Sequence, residues 1–281
     1  MPALTRMMLQ SFIRAALRED AASNDITSRA VIPSTTRIRA TVLAKVPGTI
    51  AGLQIAAWTF AEQDRALRCR LMARDGQTVR PRQKLLIIEG NARSIFAAER
   101  TTLNLLGHLS GIATLTRAFV ERTSGTRAKI LDTRKTLPGL RVLEKYAVRA
   151  GGGCNHRNDL AEAILIKTNH LRAIRPQSIS AAIAKARRAR ARGFVEIEVA
   201  NLAEFRRALA ARPDAILLDN WPLTAIRKAA RLRRGRRPIL EASGGVTLAN
   251  VRALAKTGVD RISIGRLTHS APALDVSLHV V

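Results

Sequence analysis

Cationic and hydrogen-bonding side chains gather in this chain where short apolar runs stop. The run 128–131 breaks into Asp132-Thr133-Arg134-Lys135. After a Gly151-Gly152-Gly153 turn come Asn155-His156-Arg157, and the next apolar run, 163–166, ends on Lys167. Guanidinium forks recognise carboxylates and phosphates through paired, charge-assisted hydrogen bonds, while a lysine supplies a compact point charge. Such residues at successive strand ends imply a pocket for an anionic substrate. Further along, Glu198, Asp219, Ser243 and Gly265 end later apolar runs at near-constant spacing, with Glu196 on the same strand face as Glu198. The Ser243-Gly244-Gly245 turn precedes a helix expected from about Thr247, and small residues there let backbone N–H groups approach a phosphate.

These side chains can act together only if one architecture brings the run ends to one place. Strand-like runs occur at 128–131, 163–166, 194–199, 215–218, 238–240 and 261–264. Helix-like segments at 176–192, 202–211, 223–234 and 248–256 separate them, with Thr247 as the expected N-cap of the last and Gly258 as its stop. Alternation of this kind predicts βαβ units and a parallel sheet. The even spacing places each polar residue at the same end of its strand. A barrel collects those ends around one mouth, whereas an open sheet spreads them along an edge, so the pattern favours an α/β barrel. The first hundred residues read differently. Segment 36–44 alternates like a half-buried strand, Asp75-Gly76 marks a turn, and 84–88 reads as a second strand. A smaller α+β domain is expected there, joined to the barrel by a long helix over about 92–109, with an amphipathic surface helix within residues 1–20.

The chain has 281 residues, 47% of them hydrophobic, and a formal net charge of +27. Its length permits one large or two ordinary domains. The alternation of Arg6, Arg14, Arg18, Glu19 and Asp20 with apolar residues is unlike a secretory leader, so a cytoplasmic location is expected. Cys69 and Cys154 are far apart and outside any CxxC spacing, which argues against a disulfide or zinc framework. The positive charge favours anionic partners. It is concentrated in runs such as 185–192 and 231–237, which read as solvated helix faces, and no aromatic or zinc-finger signature of nucleic-acid recognition accompanies it.

The chain resembles the quinolinate phosphoribosyltransferases, or carboxylating nicotinate-nucleotide pyrophosphorylases. The resemblance rests on Asn24-Asp25-Ile26-Thr27, Glu99-Arg100-Thr101, Leu109-Ser110-Gly111, Asp132-Thr133-Arg134-Lys135-Thr136 and Pro138-Gly139-Leu140-Arg141. It continues through Gly151-Gly152-Gly153, Asn155-His156-Arg157, Leu165-Ile166-Lys167, Asn169-His170, Leu218-Asp219-Asn220, Glu241-Ala242-Ser243-Gly244-Gly245 and Leu267-Thr268-His269-Ser270, nearly the whole chain in order. It implies an α/β protein with an incomplete α/β barrel over 105–266 and an N-terminal α+β sandwich domain over 1–104, on which the tail 267–281 packs back.

The resemblance also implies a reaction. Quinolinate and phosphoribosyl pyrophosphate give nicotinate mononucleotide, pyrophosphate and carbon dioxide with Mg²⁺, in a homodimer whose active sites are shared between subunits. Arg134, Arg157, His156 and Thr133 would bind the quinolinate carboxylates, with Arg100 reaching in from the partner. Lys135, Lys167, Glu198 and Asp219 would carry the catalytic work, the two acids through ribose hydroxyls or Mg²⁺, and Glu196 could share Glu198's role. Ser243, Gly244, Gly245 and Gly265 would hold phosphate. Thr168, and the pair Asn158-Asp159, depart from the family's usual pattern. Two other readings exist: a paralogous group associated with molybdenum transport operons that shares this fold, and a basic nucleic-acid-binding protein.

Overall fold

The computed structural model describes residues 4–174, 178–189 and 193–281. It packs as two units, one of Met1–Leu115, Arg149–Gly151 and Ala271–Val281, the other of Thr116–Val148 and Gly152–Ser270. The strands of the first unit are Arg37–Ala44 (β1), Gly48–Thr49 (β2), Arg68–Leu71 (β3), Thr78–Val79 (β4), Lys84–Asn91 (β5) and the last strand of the chain, Val276–Val280 (β12). Four of them form an antiparallel sheet in the order β12-β1-β5-β3, while β2 pairs with β4. Ala40, Val42 and Ala44 of β1 and Leu85, Leu86 and Ile88 of β5 are fully buried.

Helices Arg6–Glu19 (α1), Ile26–Val31 (α2) and Leu53–Gln63 (α3) pack in the same unit. In α1, Leu9, Ile13 and Leu17 recur every fourth residue and are buried, which gives the amphipathic helix its core-facing stripe. Arg6, Gln10 and Arg14 repeat with the same spacing and converge on Glu62 of α3 at 3.1, 3.1 and 2.5 Å. The sequence gives little sign of α3, because Leu53, Ile55, Ala56, Ala57, Thr59 and Phe60 are all buried and leave almost no polar face. Asp75 closes its start by accepting the Gly52 and Leu53 amides at 2.9 and 3.1 Å.

The helix expected to stop near Leu109 instead runs Ala92–Arg122 (α4). Its Ser110, Gly111 and Thr114 read like a loop, but the two hydroxyls have partners. Ser110 Oγ accepts the Ala51 amide at 3.1 Å, and Thr114 Oγ1 donates to Ser110 O, one turn back, at 2.7 Å. Gly111 is needed for close approach, since a Cβ there would lie 2.1 Å from Pro272 O. No helix of the described residues is long and apolar enough to cross a membrane.

The second unit holds Lys129–Leu131 (β6), Ile164–Ile166 (β7), Val195–Val199 (β8), Ala215–Asp219 (β9), Ile239–Ser243 (β10) and Arg261–Ser263 (β11). They form one six-stranded sheet in the order β6-β11-β10-β9-β8-β7, and every pair in it is parallel. Residues that follow both edge strands, Thr133, Arg134 and Lys135 after β6 and Lys167 after β7, line one cavity, so the sheet curls round on itself. Among the described residues no strand pairing joins β6 to β7, so the barrel is incomplete. Cys154 occupies the β6 side of that break through a parallel bridge to Leu131. Val195, Ile197, Ile216, Leu218, Leu240, Ala242 and Ile262 are buried, the near-continuous apolar runs of strands covered on both faces.

The covering helices include Arg141–Ala150 (α5), Thr168–Ala173 (α6), Ile179–Ala189 (α7), Leu202–Ala211 (α8), Leu223–Leu232 (α9), Val251–Ala255 (α10) and Arg266–His269 (α11). Of the helix expected over 176–192, positions 176, 177 and 190–192 lie outside the described residues. The helix expected over 248–256 is shorter in its regular part, and Thr247 opens the turn that leads into it: Thr247 and Asn250 exchange side-chain-to-amide hydrogen bonds of 2.8 and 3.3 Å, the reciprocal pattern of a capping box, and Thr247 O accepts the Val251 amide at 3.0 Å.

Glu62 gives the first unit a testable acid sensitivity. Burial raises the pKa of its carboxyl, but hydrogen bonds from Arg14, Gln10 and Arg6 outweigh burial and hold it below the ordinary value of 4.5. A depressed folded-state pKa contributes stability that is present above the unfolded value and is lost as pH falls through the folded one. Urea unfolding below pH 4.5 should therefore show wild type losing stability faster than Glu62→Gln. Equal acid slopes for the two proteins would contradict this account.

Candidate active site

The break between β6 and β7 is held by a buried ion pair. Asp132 leaves the end of β6 and Lys145 comes from the middle of α5, and both side chains are fully buried, 2.5 Å apart. The Asp132 carboxylate also accepts the His156 amide at 2.8 Å and Asn155 Nδ2 at 2.5 Å. Lys145 Nζ donates to His156 O at 2.9 Å, and Asn155 Nδ2 also reaches Lys145 O at 2.9 Å. Burial raises the Asp132 pKa and lowers that of Lys145, and their mutual attraction and hydrogen bonds act against both shifts. The pair thus clamps the Asn155-His156-Arg157 segment to the strand that launches Thr133-Arg134-Lys135.

Beside this clamp, at the C-terminal ends of the strands, opens a cavity of about 740 Å³. It brings together Thr133, Arg134, Lys135, His156, Arg157, Lys167, Glu198, Asp219, Ser243, Gly244, Gly245 and Gly265. Arg100 is not among the lining residues; it is exposed on α4. Arg157 Nη1 is fixed on Ala163 O at 2.7 Å, and burial, then the charge of Arg134, holds its pKa below the ordinary value. Two guanidinium groups that repel each other in a shared cavity favour entry of a multiply negative ligand. Lys135 is steadied at both ends of its backbone: its amide donates to Thr133 Oγ1 at 3.0 Å and its carbonyl accepts Thr268 Oγ1 at 2.6 Å. The Lys167 amide donates to His170 Nδ1 at 2.8 Å, so His170 caps α6 and is not part of the lining. His269 also lines the cavity, and its Nδ1 sits 2.6 Å from Ser270 Oγ.

His156 has both ring nitrogens engaged. Nδ1 accepts the Arg157 amide at 2.7 Å, so the ring proton is on Nε2, which faces Glu196 Oε2 at 3.1 Å and Glu241 Oε1 at 3.4 Å. Ligand atoms of the three residues lie within 4.8 Å of one another. That spacing would suit a metal ion, but an Nε2 that carries a proton has no lone pair to offer one. Burial disfavours charge on the imidazole, yet Glu196 and Glu241 outweigh it and lift its pKa to about 10. Burial first, and then the charge of Glu241, pushes Glu196 upward as well. Glu196 therefore serves His156 and does not share Glu198's position. Glu241, in the middle of an apolar strand, escaped the sequence reading.

On the opposite wall, Glu198 Oε1 accepts both the amide and the hydroxyl of Thr168, at 3.3 and 2.5 Å. Thr168 thus orients the acid. Asn158 and Asp159 close a local turn through Glu162 and Ala161, away from the cavity lining. Asp219 lies opposite Ser243 in the β9–β10 register, and the Ser243 hydroxyl donates to Asp219 Oδ1. Glu198 and Asp219 are thus held in place by neutral donors, which leaves their negative charge uncancelled.

Removing Lys145 would leave the Asp132 charge buried and unmatched, which costs about 3–5 kcal/mol. Lys145→Met should lose that stability in urea unfolding. Adding Asp132→Asn should make the double variant less unstable than the sum of the single changes. A Lys145→Met protein as stable as wild type would remove the pair from its central place.

Known proteins are similar to this chain in sequence and fold. Residues 25–110 match the family model for the N-terminal domain of quinolinate phosphoribosyl transferase, and residues 112–279 match that for its C-terminal domain. The chain is 44% identical over 271 residues to nicotinate-nucleotide pyrophosphorylase (carboxylating) of Mycobacterium leprae, covering 95% of each protein. It is 39% identical to the probable enzyme of that name in Bacillus subtilis, over 99% of this chain and 95% of the other. The solved nicotinate-nucleotide pyrophosphorylase of Francisella tularensis superposes with a TM-score of 0.93 at 37% identity, over 99% of this chain and 98% of that one. The chain belongs to the quinolinate phosphoribosyltransferase family.

Proposed function

We propose that the protein transfers the phosphoribosyl group of phosphoribosyl pyrophosphate to quinolinate with loss of carbon dioxide, forming nicotinate mononucleotide and pyrophosphate for NAD biosynthesis. The observation that carries this reading is the gathering of cations and oriented acids around one cavity. Arg134 and Arg157 recognise the two carboxylates of quinolinate, with Thr133 as a hydroxyl partner and His156 bordering the same end. Lys135 and Lys167 balance the charge of carboxylate and phosphate oxygens. Ser243, Gly244, Gly245 and Gly265 offer small residues and backbone groups to the phosphates.

Glu198 and Asp219 face the sugar end, where they hold ribose hydroxyls or a Mg²⁺ ion. Their hard carboxylate oxygens, steadied by Thr168 and Ser243, fit that ion. When bound, Mg²⁺ screens the charge of the departing pyrophosphate. The protein's own contribution is to align the pyridine nitrogen with the anomeric carbon and to stabilise developing charge. Once the nitrogen is bonded to the sugar, its positive charge stabilises the electron pair left at the ring carbon when the bond to the departing carbon dioxide breaks, and that carbon then takes a proton from water. We place the reaction in the cytoplasm and in a homodimer, with Arg100 completing the neighbouring subunit's site.

Purified protein supplied with quinolinate, phosphoribosyl pyrophosphate and Mg²⁺ should yield nicotinate mononucleotide, and an absence of product would refute the assignment. Lys135→Ala and Arg157→Ala should abolish turnover with the circular dichroism spectrum unchanged. Losing one charge-assisted hydrogen bond costs about 1.5–3 kcal/mol, one to two orders of magnitude in binding. For the shared site, mixing inactive Arg100→Ala and Lys135→Ala proteins should restore part of the activity through hybrid dimers. If the mixture stays as inactive as its components, Arg100 does not act across subunits.

A further inference from the structure

Between the oriented acids and the glycine turn stands a residue with no role in the reading above. Asn220 has φ of +56°, in the left-handed region that asparagine tolerates better than most residues. That turn folds its side chain back on its predecessor, and Nδ2 donates to Asp219 Oδ2 at 3.1 Å. The backbone amide of Asn220 donates to Ser243 O at 2.9 Å. Its side chain also covers Gly244, where φ is +83° and a Cβ would lie 2.2 Å from Asn220 Oδ1. One residue therefore touches the acid at the end of β9 and the turn at the end of β10.

The chemistry of the amide matters as much as its place. Ser243 already donates to the other Asp219 oxygen, so with Asn220 the carboxylate is held through both oxygens by neutral donors. A cation in place of Asn220 would cancel the negative charge, and an acid would repel it. The far end of the turn is tied too, because Asn250 Nδ2 donates to Gly245 O at 2.9 Å.

We infer that Asn220 is a positioning residue for the phosphoribosyl end of the cavity, locking the Asp219 carboxylate and the Gly244-Gly245 backbone into one unit. This rests on assigning that end to phosphoribosyl pyrophosphate. Asn220→Gly keeps the backbone conformation and removes the amide, whereas Asn220→Asp keeps the shape and exchanges a donor for a charge.

The test measures KM for each substrate, Mg²⁺-pyrophosphate binding by calorimetry, and thermal unfolding. Both variants should raise KM for phosphoribosyl pyrophosphate and weaken Mg²⁺-pyrophosphate binding by about tenfold or more, with quinolinate KM within about twofold of wild type. Unchanged pyrophosphate binding, or equal rises in both KM values together with a lower unfolding temperature, would overturn the inference. A wild-type protein that makes no nicotinate mononucleotide would instead overturn the reaction assignment. The calorimetric comparison would still decide the role of Asn220.

Discussion

Two opposite charges sealed away from water, Asp132 and Lys145, stand where the sheet fails to close. A complete barrel would satisfy the edge of β6 with another strand. Here Cys154 bridges Leu131, and the polar groups that follow are met by the ion pair and Asn155. Burying such a pair costs desolvation, so its net contribution to stability is small even though losing one partner is expensive. What the pair contributes is geometry. It leaves one arrangement in which the end of β6 and the Asn155-His156-Arg157 segment lie side by side, and Arg134 and Arg157 take their places from that arrangement.

The cavity is electrostatically unfinished by construction. Burial, and then the charge of Arg134, holds the Arg157 pKa down, and the Arg157 guanidinium finds its fixed partner in a neutral carbonyl, Ala163 O. Facing them, Glu198 and Asp219 are steadied by hydroxyls and amides, which leaves their charge uncancelled. Below them, His156 pairs with Glu196 in a buried cluster in which Glu196 Oε1 and both Glu241 oxygens have no hydrogen-bond partner among the described residues. A ligand with negative charge at one end, and hydroxyls or a hard cation at the other, completes both walls together. The wider excess of +27 works at longer range, by raising the local concentration of anionic substrates.

Much of this could be read from the sequence because strand tips are local features. The end of an apolar run places Lys167 or Asp219 without knowledge of its neighbours, and the βα spacing then places the tips around one mouth. Legibility failed where the meaning of a residue depends on a distant partner. Glu241 stood just past the apolar run 238–240 and was given no role until the fold set it beside His156. Lys145 looked like one more cation on a helix, yet it is fully buried against Asp132. The loop-like glycines and hydroxyls of α4 proved helical because β2, Ala51 and the 272–274 segment supply their partners. Asn220 gave no signal beyond an unremarkable polar residue, since its value lies in a backbone conformation.

The central claim is that the clamp makes the Asn155–Arg157 segment part of the rigid frame, although it lacks regular secondary structure. Native-state hydrogen exchange of the His156 amide, the proton bonded to Asp132, tests this most directly. The account predicts that this amide exchanges only through global unfolding, with the same opening free energy as the amides of β9 and β10. Exchange at the rate of an open loop, while those strands stay protected, would contradict it.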